Sequence, residues 1–227
     1  MKKIVVLKST GVLVILPFVI MMFSSCYSSF TAQSAKTMEP GKVAGGFALG
    51  GYKIQRDYFD SQKSTRNNEY GEAIPMFPVG LLRVGLVDNL DFNLQSNVIT
   101  NTTVGLKYQL LKNTEGSNFS IGLNAGGIHF FYVPIYSTFE IPFYYSYHTK
   151  DNHSIYANFS PGWVEDTYRQ AGCLGASFKI SKDRETYMFF EIKQSTVGKS
   201  ISIGGVKSEG VDMNYLLYGF GFTFGGF

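Results

Sequence analysis

The chain has 227 residues and three of them are histidines. Histidine is the side chain that most often acts as a general acid or base in enzymes. A nucleophilic hydroxyl needs an imidazole within hydrogen-bonding reach. Ser146 and His148 are two residues apart and Glu140 has the same parity, so in a β-strand the three share one face. His153 and Ser154 are adjacent and point to opposite faces. Glu140, Ser146 and His148 are therefore the triad-like candidate for hydrolysis, with hydrogen-bonded filling of an interior as the alternative.

The other reactive residues form no recognisable site. His129 precedes two phenylalanines and has no serine at strand spacing, and Cys173 has no second metal ligand near it. Residues 198–200, Gly-Lys-Ser, match only the end of a phosphate-binding loop, because the glycine that begins such a loop is missing. We therefore predict that the chain binds no metal ion and no cofactor and that it is not an enzyme. A hydrolase that acts on lipid or peptide is the alternative.

The composition differs from that of a soluble domain. Aromatic residues make up 16% of the chain and charged residues also 16%, whereas a typical soluble domain is roughly 25% charged. Mean hydropathy is +0.01, which suits alternating apolar and polar faces. Three of the 20 basic residues lie in the first 25 residues, which leaves 17 basic and 17 acidic residues beyond them. A neutral mature chain gives nucleic acid no electrostatic support as a partner.

The first 25 residues have the pattern of a secretory signal peptide. Lys2, Lys3 and Lys8 precede an apolar stretch at residues 11–23. This stretch is too short for a membrane-spanning helix of about 20 residues but suits the apolar region of a signal peptide. We therefore predict a signal-peptide helix over residues 1–25, and an uncleaved anchor helix is the alternative.

Residues 23–26, Phe-Ser-Ser-Cys, resemble the lipobox of bacterial lipoproteins, whose Cys is lipidated and becomes the mature N-terminus. The resemblance implies lipidation of Cys26, and an incidental cysteine after an ordinary signal peptide is the alternative. Tyr27 stands where an inner-membrane retention signal has aspartate, which favours delivery to the outer membrane. Residues 26–41 are then a lipidated N-terminus and a polar tether.

From residue 42 onward, apolar and polar residues alternate with period two. Leu90, Phe92 and Leu94 lie on one face of a predicted strand, and Asp91 and Asn93 lie on the other. The pattern predicts ten strands, at residues 42–54, 73–87, 90–99, 103–112, 118–131, 138–149, 153–163, 170–181, 185–195 and 211–225. An even strand number and alternately short and long connections are typical of outer-membrane barrels, with both termini on the periplasmic side.

The predicted fold class is all-β: an antiparallel transmembrane β-barrel of about ten strands over residues 42–227, with eight or twelve strands as alternatives. A soluble barrel or sandwich also alternates, but its charged residues face outward and its large apolar residues inward. Here continuous aromatic faces oppose faces that carry charge, which a lipid-facing exterior explains. The predicted lumen charges are Arg83, Asp91, Lys107, Glu140, Lys179, Glu191 and Lys193.

Two segments resemble bacterial outer-membrane β-barrel proteins. Residues 83–91, RVGLVDNLD, resemble a strand–turn–strand segment that recurs in that class, and residues 218–227, YGFGFTFGGF, resemble its C-terminal assembly signal. The resemblance implies insertion into outer-membrane lipid by the outer-membrane assembly machinery, and no particular activity. The residues of the predicted assembly signal are Tyr218, Phe220, Phe222, Phe224 and Phe227, of which Phe227 is out of phase with Phe224.

The predicted lumen charges nearly balance, with four basic against three acidic residues. Two interpretations stay open, a salt-bridged and filled interior or a narrow path for ions or solutes. Barrels of eight to ten strands have interiors largely filled by side chains, which argues against an open porin. We expect a monomeric barrel, lipid-anchored on the periplasmic side of the outer membrane, with a structural, surface-interaction or narrow-transport role.

Overall fold

The computed structural model describes residues 30–60, 65–70, 74–97, 101–113, 115–130, 133–181, 183–197 and 212–226. Its strands are β1 (Val43–Asp60), β2 (Thr65–Tyr70), β3 (Ile74–Val87), β4 (Leu90–Asn97), β5 (Asn101–Leu111), β6 (Gly116–Phe130), β7 (Val133–Glu140), β8 (Phe143–His148), β9 (Ser154–Val164), β10 (Thr167–Lys179), β11 (Thr186–Val197) and β12 (Asp212–Phe224). Within these residues, no helix is long and apolar enough to cross a membrane.

Ten antiparallel wall strands close into one barrel. Their order around the wall is β1, β3, β4, β5, β6, β7 with β8, β9, β10, β11 and β12. The barrel closes where β12 pairs with β1, from Gly45 opposite Phe224 to Asp57 opposite Asp212. β2 pairs with the far end of β1 and takes no other place in the wall. The predicted ten-strand antiparallel transmembrane barrel is therefore confirmed.

β7 and β8 together form one wall strand, which is interrupted at Pro142. Proline has no N–H to donate to the strand ladder. The ladder continues around it, because Ile141 N donates to Pro161 O at 2.9 Å and Gly122 N donates to Pro142 O at 2.7 Å. β6 therefore pairs with β7 on one side of the break and with β8 on the other. The sequence predicted a single strand here, over residues 138–149.

The exterior of the wall is apolar and most of its interior is polar. On β5, Leu106 and Tyr108 are 42% and 48% exposed, whereas Lys107 between them is fully buried. On β10, Leu174 is 67% exposed beside the buried Cys173. A soluble barrel has the opposite arrangement, because water solvates charge far better than a protein interior does. This inversion is the arrangement that the sequence predicted for a lipid-facing wall.

The two ends of the barrel differ in their connections. Tight turns join β3 to β4, β5 to β6, β8 to β9 and β10 to β11 at the end where β1 begins, here called the inner rim. Asn89 and Asn152 have φ values of 65° and 59° in two of these turns, a conformation that Asn tolerates better than most residues. At the opposite, outer end the connections vary more in length, from residues 165–166 between β9 and β10 to residues 198–211 between β11 and β12. In outer-membrane barrels the short turns face the periplasm.

Candidate binding site in the barrel lumen

Residues 30–38, here called the lumen segment, lie inside the barrel. Phe30, Ser34 and Ala35 are fully buried, Lys36 is half-buried, and the other members are at most 7% exposed. The segment has no regular secondary structure. Its main-chain groups must therefore find their partners on the wall, because buried backbone N–H and C=O groups are nearly always hydrogen-bonded.

The lumen segment runs outward from the inner rim. Met38 lies at the rim, where its N–H donates to Asp91 Oδ1 at 2.9 Å, next to the turn between β3 and β4. Phe30 lies about halfway along the wall, against Gly50 of β1 and Gly219 of β12. The N-terminal end of the segment is therefore its outermost part.

Glu191 of β11 holds the outer part of the segment. Its two carboxylate oxygens accept hydrogen bonds from Thr31 N at 2.6 Å and Ala32 N at 2.8 Å. Ala32 has a φ of 43°, and successive N–H groups at such a backbone turn commonly converge on an anion. Tyr156 also donates to Glu191 at 3.1 Å, and Gln95 Nε2 donates to Thr31 O at 2.9 Å.

Lys107 of β5 holds the middle of the segment. Its ammonium group donates to Ser34 O at 3.0 Å and to Lys36 O at 3.1 Å. The same ammonium lies 3.4 Å from Asp91 Oδ2, and Arg83 Nε lies 3.5 Å from that oxygen. Two wall cations therefore share one carboxylate, and carbonyl groups of the segment complete the coordination of Lys107.

Neutral side chains make the remaining bonds to the inner part of the segment. Gln109 Oε1 accepts from Thr37 N at 2.8 Å and from Thr37 Oγ1 at 2.6 Å. Ser146 Oγ accepts from Ala35 N at 3.1 Å, and Ser120 Oγ donates to Ala35 O. The wall therefore bonds the segment from several strands at once.

Phe30 occupies an apolar pocket made by two glycines. A Cβ atom on Gly50 or Gly219 would overlap the Phe30 ring, so the glycines provide the space that the ring fills. The Thr31 side chain lies close to Cys173 beside this pocket. Inward-facing apolar residues surround the ring in one cluster: Ala48, Tyr52, Val79, Tyr156, Cys173, Tyr187, Phe189, Tyr215 and Leu217.

Gly85 allows the chain to pass from the lumen to β1 at the inner rim. A Cβ atom on Gly85 would overlap Glu39 O. Gly41 N donates to Gly85 O at 2.8 Å, and Gly85 N donates to Lys42 O at 3.0 Å. The Lys42 ammonium donates a hydrogen bond to Glu39 Oε2 at 3.1 Å and lies 3.9 Å from Glu185 Oε1. This hydrogen bond and the charge of Glu185 raise the pKa of Lys42.

The outer half of the lumen contains a polar space, here called the vestibule. Its cavity volume is about 20 Å³, which is room for about one water molecule, and Phe30 and Thr31 form one side of it. Glu140 and Arg169 form an ion pair in its wall. Its other polar lining residues include Asn101, Thr103, Asn124, Asn158, Ser160 and Lys193. The lumen segment therefore separates the vestibule from the inner rim.

Most of the predicted lumen charges lie on the inner face of the wall. Arg83, Asp91, Lys107, Glu191 and Lys193 are at most 7% exposed. Glu140 bonds Arg169, which donates also to Ser195 Oγ at 2.9 Å. Lys179 is half-buried at the inner-rim end of β10, where its N–H donates to His153 Nδ1 at 3.2 Å.

The triad-like candidate is only partly assembled. Ser146 Oγ and His148 Nε2 are 3.0 Å apart in the lumen. Glu140 does not join them: it bonds Arg169 and precedes His148 by eight residues, about 26 Å along a strand. Ser146 is also occupied by Ala35 N. Among the residues that the structure describes, no three His, Cys, Asp or Glu side chains are placed to hold a metal ion.

The residues of the predicted assembly signal that the structure describes lie on the outward face of β12. Tyr218, Phe220 and Phe224 are 40%, 41% and 49% exposed. Phe222 is half-buried, and its ring centroid lies 5.5 Å from that of Phe47 on β1. Phe227, Cys26 and residues 198–200 lie outside the described residues, as does the side chain of His129.

The sequence patterns predicted neither the position of the lumen segment inside the barrel nor the inward position of Arg169. The Ser, Thr and Gln residues of the segment suit a solvated tether and a polar lumen equally, because both supply polar partners. Phe30 was the available signal, since a lone aromatic residue in a polar stretch favours a buried position. Arg169 was missed because the predicted strand began at residue 170, whereas β10 begins at Thr167.

Comparisons with solved structures match this architecture. The barrel is similar to the outer membrane protease OmpT from Escherichia coli, with a TM-score of 0.52 and 10% identity, over 84% of this chain and 99% of that chain. The fold is that of an outer-membrane β-barrel. Outer membrane protein AlkL matches with a TM-score of 0.37 and 9% identity, over 87% of this chain and 95% of that one. Ail, the attachment invasion locus protein of Yersinia pestis, has a TM-score of 0.25 and 12% identity, over 82% and 100%.

The OmpT likeness concerns the fold alone, because its sequence identity is 10%. The likenesses to AlkL and Ail are too loose to carry an argument. No family model matches the sequence, and no curated protein does. The comparisons therefore show the fold of this chain, and the residues of its lumen are the basis for its proposed role.

Proposed function

We propose that this chain is a non-enzymatic outer-membrane barrel whose lumen is closed at rest by residues 30–38 and conducts polar solutes when that segment is displaced. The observation that carries the proposal is the way the wall holds the segment. Apart from the Phe30 pocket, the contacts are hydrogen bonds to polar and charged side chains. Water can replace such bonds at a net cost of about 0.5–1.5 kcal/mol each for neutral groups and about 1.5–3 kcal/mol each for charged groups. The strand ladder runs between the wall strands themselves, so it stays paired when the segment leaves, at a cost to the charge cluster that the segment completes.

The shape of the lumen supports a conduit. Small barrels are usually filled by their own side chains, whereas this lumen is filled over its inner half by a separate stretch of chain. The vestibule on the outer side of Phe30 and Thr31 is polar. Asn93 is 1% exposed and its side-chain amide has no partner among the described residues. Such a buried polar group favours a wet interior, because a bound water can satisfy it.

The exterior of the wall supports the membrane placement and the partners that we propose. The apolar outward face, the fold and the apolar leader support a monomer that is exported and inserted into outer-membrane lipid. The outward aromatic residues of β12, with Phe220 41% exposed, support recognition by the outer-membrane assembly machinery. These are parts of the same proposal, because a conduit needs a membrane to cross.

We also propose that Cys26 is lipidated, with the lipid on the outer rather than the periplasmic side of the outer membrane. The sequence predicted an anchor on the periplasmic side. Phe30, however, is the outermost residue of a segment that runs away from the inner rim. Cys26 lies four positions before it, a reach of at most about 14 Å. This direction favours the outer leaflet for the lipid. A Cys26→Ala processing assay tests lipidation, and protease treatment of whole cells tests the side.

Planar-bilayer recordings test the conduit. We expect the unmodified chain to be silent and the double variant Lys107→Met with Glu191→Gln to open in discrete steps, because it weakens two of the three charged contacts to the segment. Lys179→Met is the matched control, because it removes a lysine that lies outside these contacts, and it should remain silent. A folded double variant that is as silent as the parent would overturn the conduit and leave a structural barrel.

The Ser146–His148 pair, 3.0 Å apart, favours a hydrolase as the second candidate. A hydrolase needs Ser146 free to attack, which again requires departure of Ala35 from its oxygen. Mass spectrometry of lipid A and phospholipids from cells carrying Ser146→Ala tests the lipid-acting version. A profile that matches the wild type removes it.

A further inference from the structure

The lumen contacts the main chain of its occupant. Glu191 accepts the N–H groups of Thr31 and Ala32, and Lys107 donates to the carbonyl groups of Ser34 and Lys36. The bonds of Ser146, Ser120, Asp91 and Gln95 to the segment also end on main-chain atoms. Among the contacts described, the second bond of Gln109 differs, because it ends on Thr37 Oγ1. Contacts of this kind recognise a peptide backbone and depend little on its side chains.

Side-chain selection is confined to a few positions. The Phe30 ring fills the pocket between Gly50 and Gly219. Ser34 and Ala35 are fully buried, so their positions leave room only for small side chains. Lys36 is half-buried, which leaves that position tolerant. The lumen therefore suits a linear peptide that has an aromatic residue at the position of Phe30 and small residues at the positions of Ser34 and Ala35.

We propose that the lumen is a peptide-binding site, and that a linear peptide supplied by another polypeptide can occupy it when residues 30–38 are displaced. This inference rests on the proposed function, of which it names the ligand class. Glu191 of the wall accepts hydrogen bonds from N–H groups of the occupant, and Lys107 donates to its C=O groups. A linear oligosaccharide offers hydroxyl groups without that fixed order. Its hydroxyl groups both donate and accept, so they can pair with Glu191 and with Lys107 without matching the N–H and C=O order of the contacts seen here, and the competition experiment below separates the two ligand classes.

The test converts the segment into a separate peptide after folding. A protease recognition sequence is inserted between Pro40 and Gly41, which are exposed at the inner rim. The full chain, carrying Cys26→Ser so that no lipid is attached, is purified in detergent and then cut. A fluorescent peptide of sequence FTAQSAKTM, which is residues 30–38, is added, and its binding is measured by anisotropy.

We expect the labelled peptide to exchange into the cut barrel and the unlabelled peptide to compete with it. N-methylation at Thr31 and Ala32 removes the two donors to Glu191 and should weaken binding about tenfold or more. Side-chain replacement Gln33→Ala in the peptide is the matched control and should change binding less than threefold. Retention of the cut segment through gel filtration would likewise support the site, because the segment is by then a separate chain.

Loss of the cut segment without binding of the added peptide would overturn the inference, as would equal binding of the N-methylated peptide. Displacement of the peptide by maltohexaose at similar concentration would also overturn it, in favour of a saccharide site. Conductance separates this failure from failure of the conduit. A cut and emptied barrel that conducts without binding peptide leaves the proposed function standing, whereas one that binds peptide and never conducts removes the conduit alone.

Discussion

Lys107 Nζ lies 3.4 Å from Asp91 Oδ2, and both side chains are fully shielded from solvent inside the barrel. Arg83 Nε lies 3.5 Å from the same oxygen, so a single carboxylate faces two cations. Carbonyl groups of Ser34 and Lys36 supply the remaining negative partial charge to Lys107. The charge cluster is therefore complete only when the lumen segment is in place, which links closure of the lumen to stability of the wall.

Replacement of Lys107 tests that link. Lys107→Met leaves Asp91 with one cation and leaves two buried carbonyl groups of the segment without their donor. Breaking a buried ion pair costs about 3–5 kcal/mol, so we expect a loss of that size in the free energy of unfolding in urea. Lys179→Met, at the half-buried end of β10, should change it by less than about 1 kcal/mol. Equal losses in both variants would contradict a special role for Lys107.

Replacement of Glu191 tests the outer contact of the segment. In Glu191→Gln one oxygen still accepts a hydrogen bond, but the amide nitrogen faces a second N–H donor and repels it. We expect amide hydrogen exchange at Thr31 and Ala32 to accelerate about tenfold or more, since bonds to charged groups contribute about 1.5–3 kcal/mol. Tyr156→Phe keeps the carboxylate and should have a smaller effect. Unchanged exchange in Glu191→Gln would show that the carboxylate does not hold the segment.

Gly85→Ala tests the entry of the chain at the inner rim. The new Cβ atom would overlap Glu39 O, so the entry must shift, at about 1–3 kcal/mol for an overpacked site. We expect trypsin to cut after Lys36 faster than in the parent protein, as mass spectrometry would detect. Gly45→Ala is the matched control, because its Cβ atom would lie 3.8 Å from Leu81 O, an ordinary contact. Equal cutting in the two variants would contradict this account of the rim.

The wall could be predicted from the sequence because a strand has a strict period of two. The alternation over β4 (Leu90–Asn97) appears in the structure as alternately half-buried and buried side chains. The ten-strand count followed from such runs. The break at Pro142 was missed, although proline cannot donate within a strand ladder.

The lumen contents could not be predicted in the same way. Residues 30–38 have no periodicity, and their hydrogen bonds reach residues 53 to 160 positions away in the chain. Inward-facing aromatic residues such as Tyr156 and Phe189 were also not anticipated, because aromatic residues were assigned to the lipid face. Their parity placed them inside, where they pack with the Phe30 pocket.

A disulfide between the segment and the wall tests the central claim most directly, namely that residues 30–38 occupy the lumen. Thr31→Cys is made together with Cys26→Ser, so that the new thiol and the native Cys173, which contacts Thr31, are the thiols of the mature chain. We expect the thiol at position 31 and that of Cys173 to form a disulfide spontaneously in the oxidising cell envelope, and the linked barrel to be silent in a planar bilayer. Two freely alkylated thiols in the folded protein would contradict it.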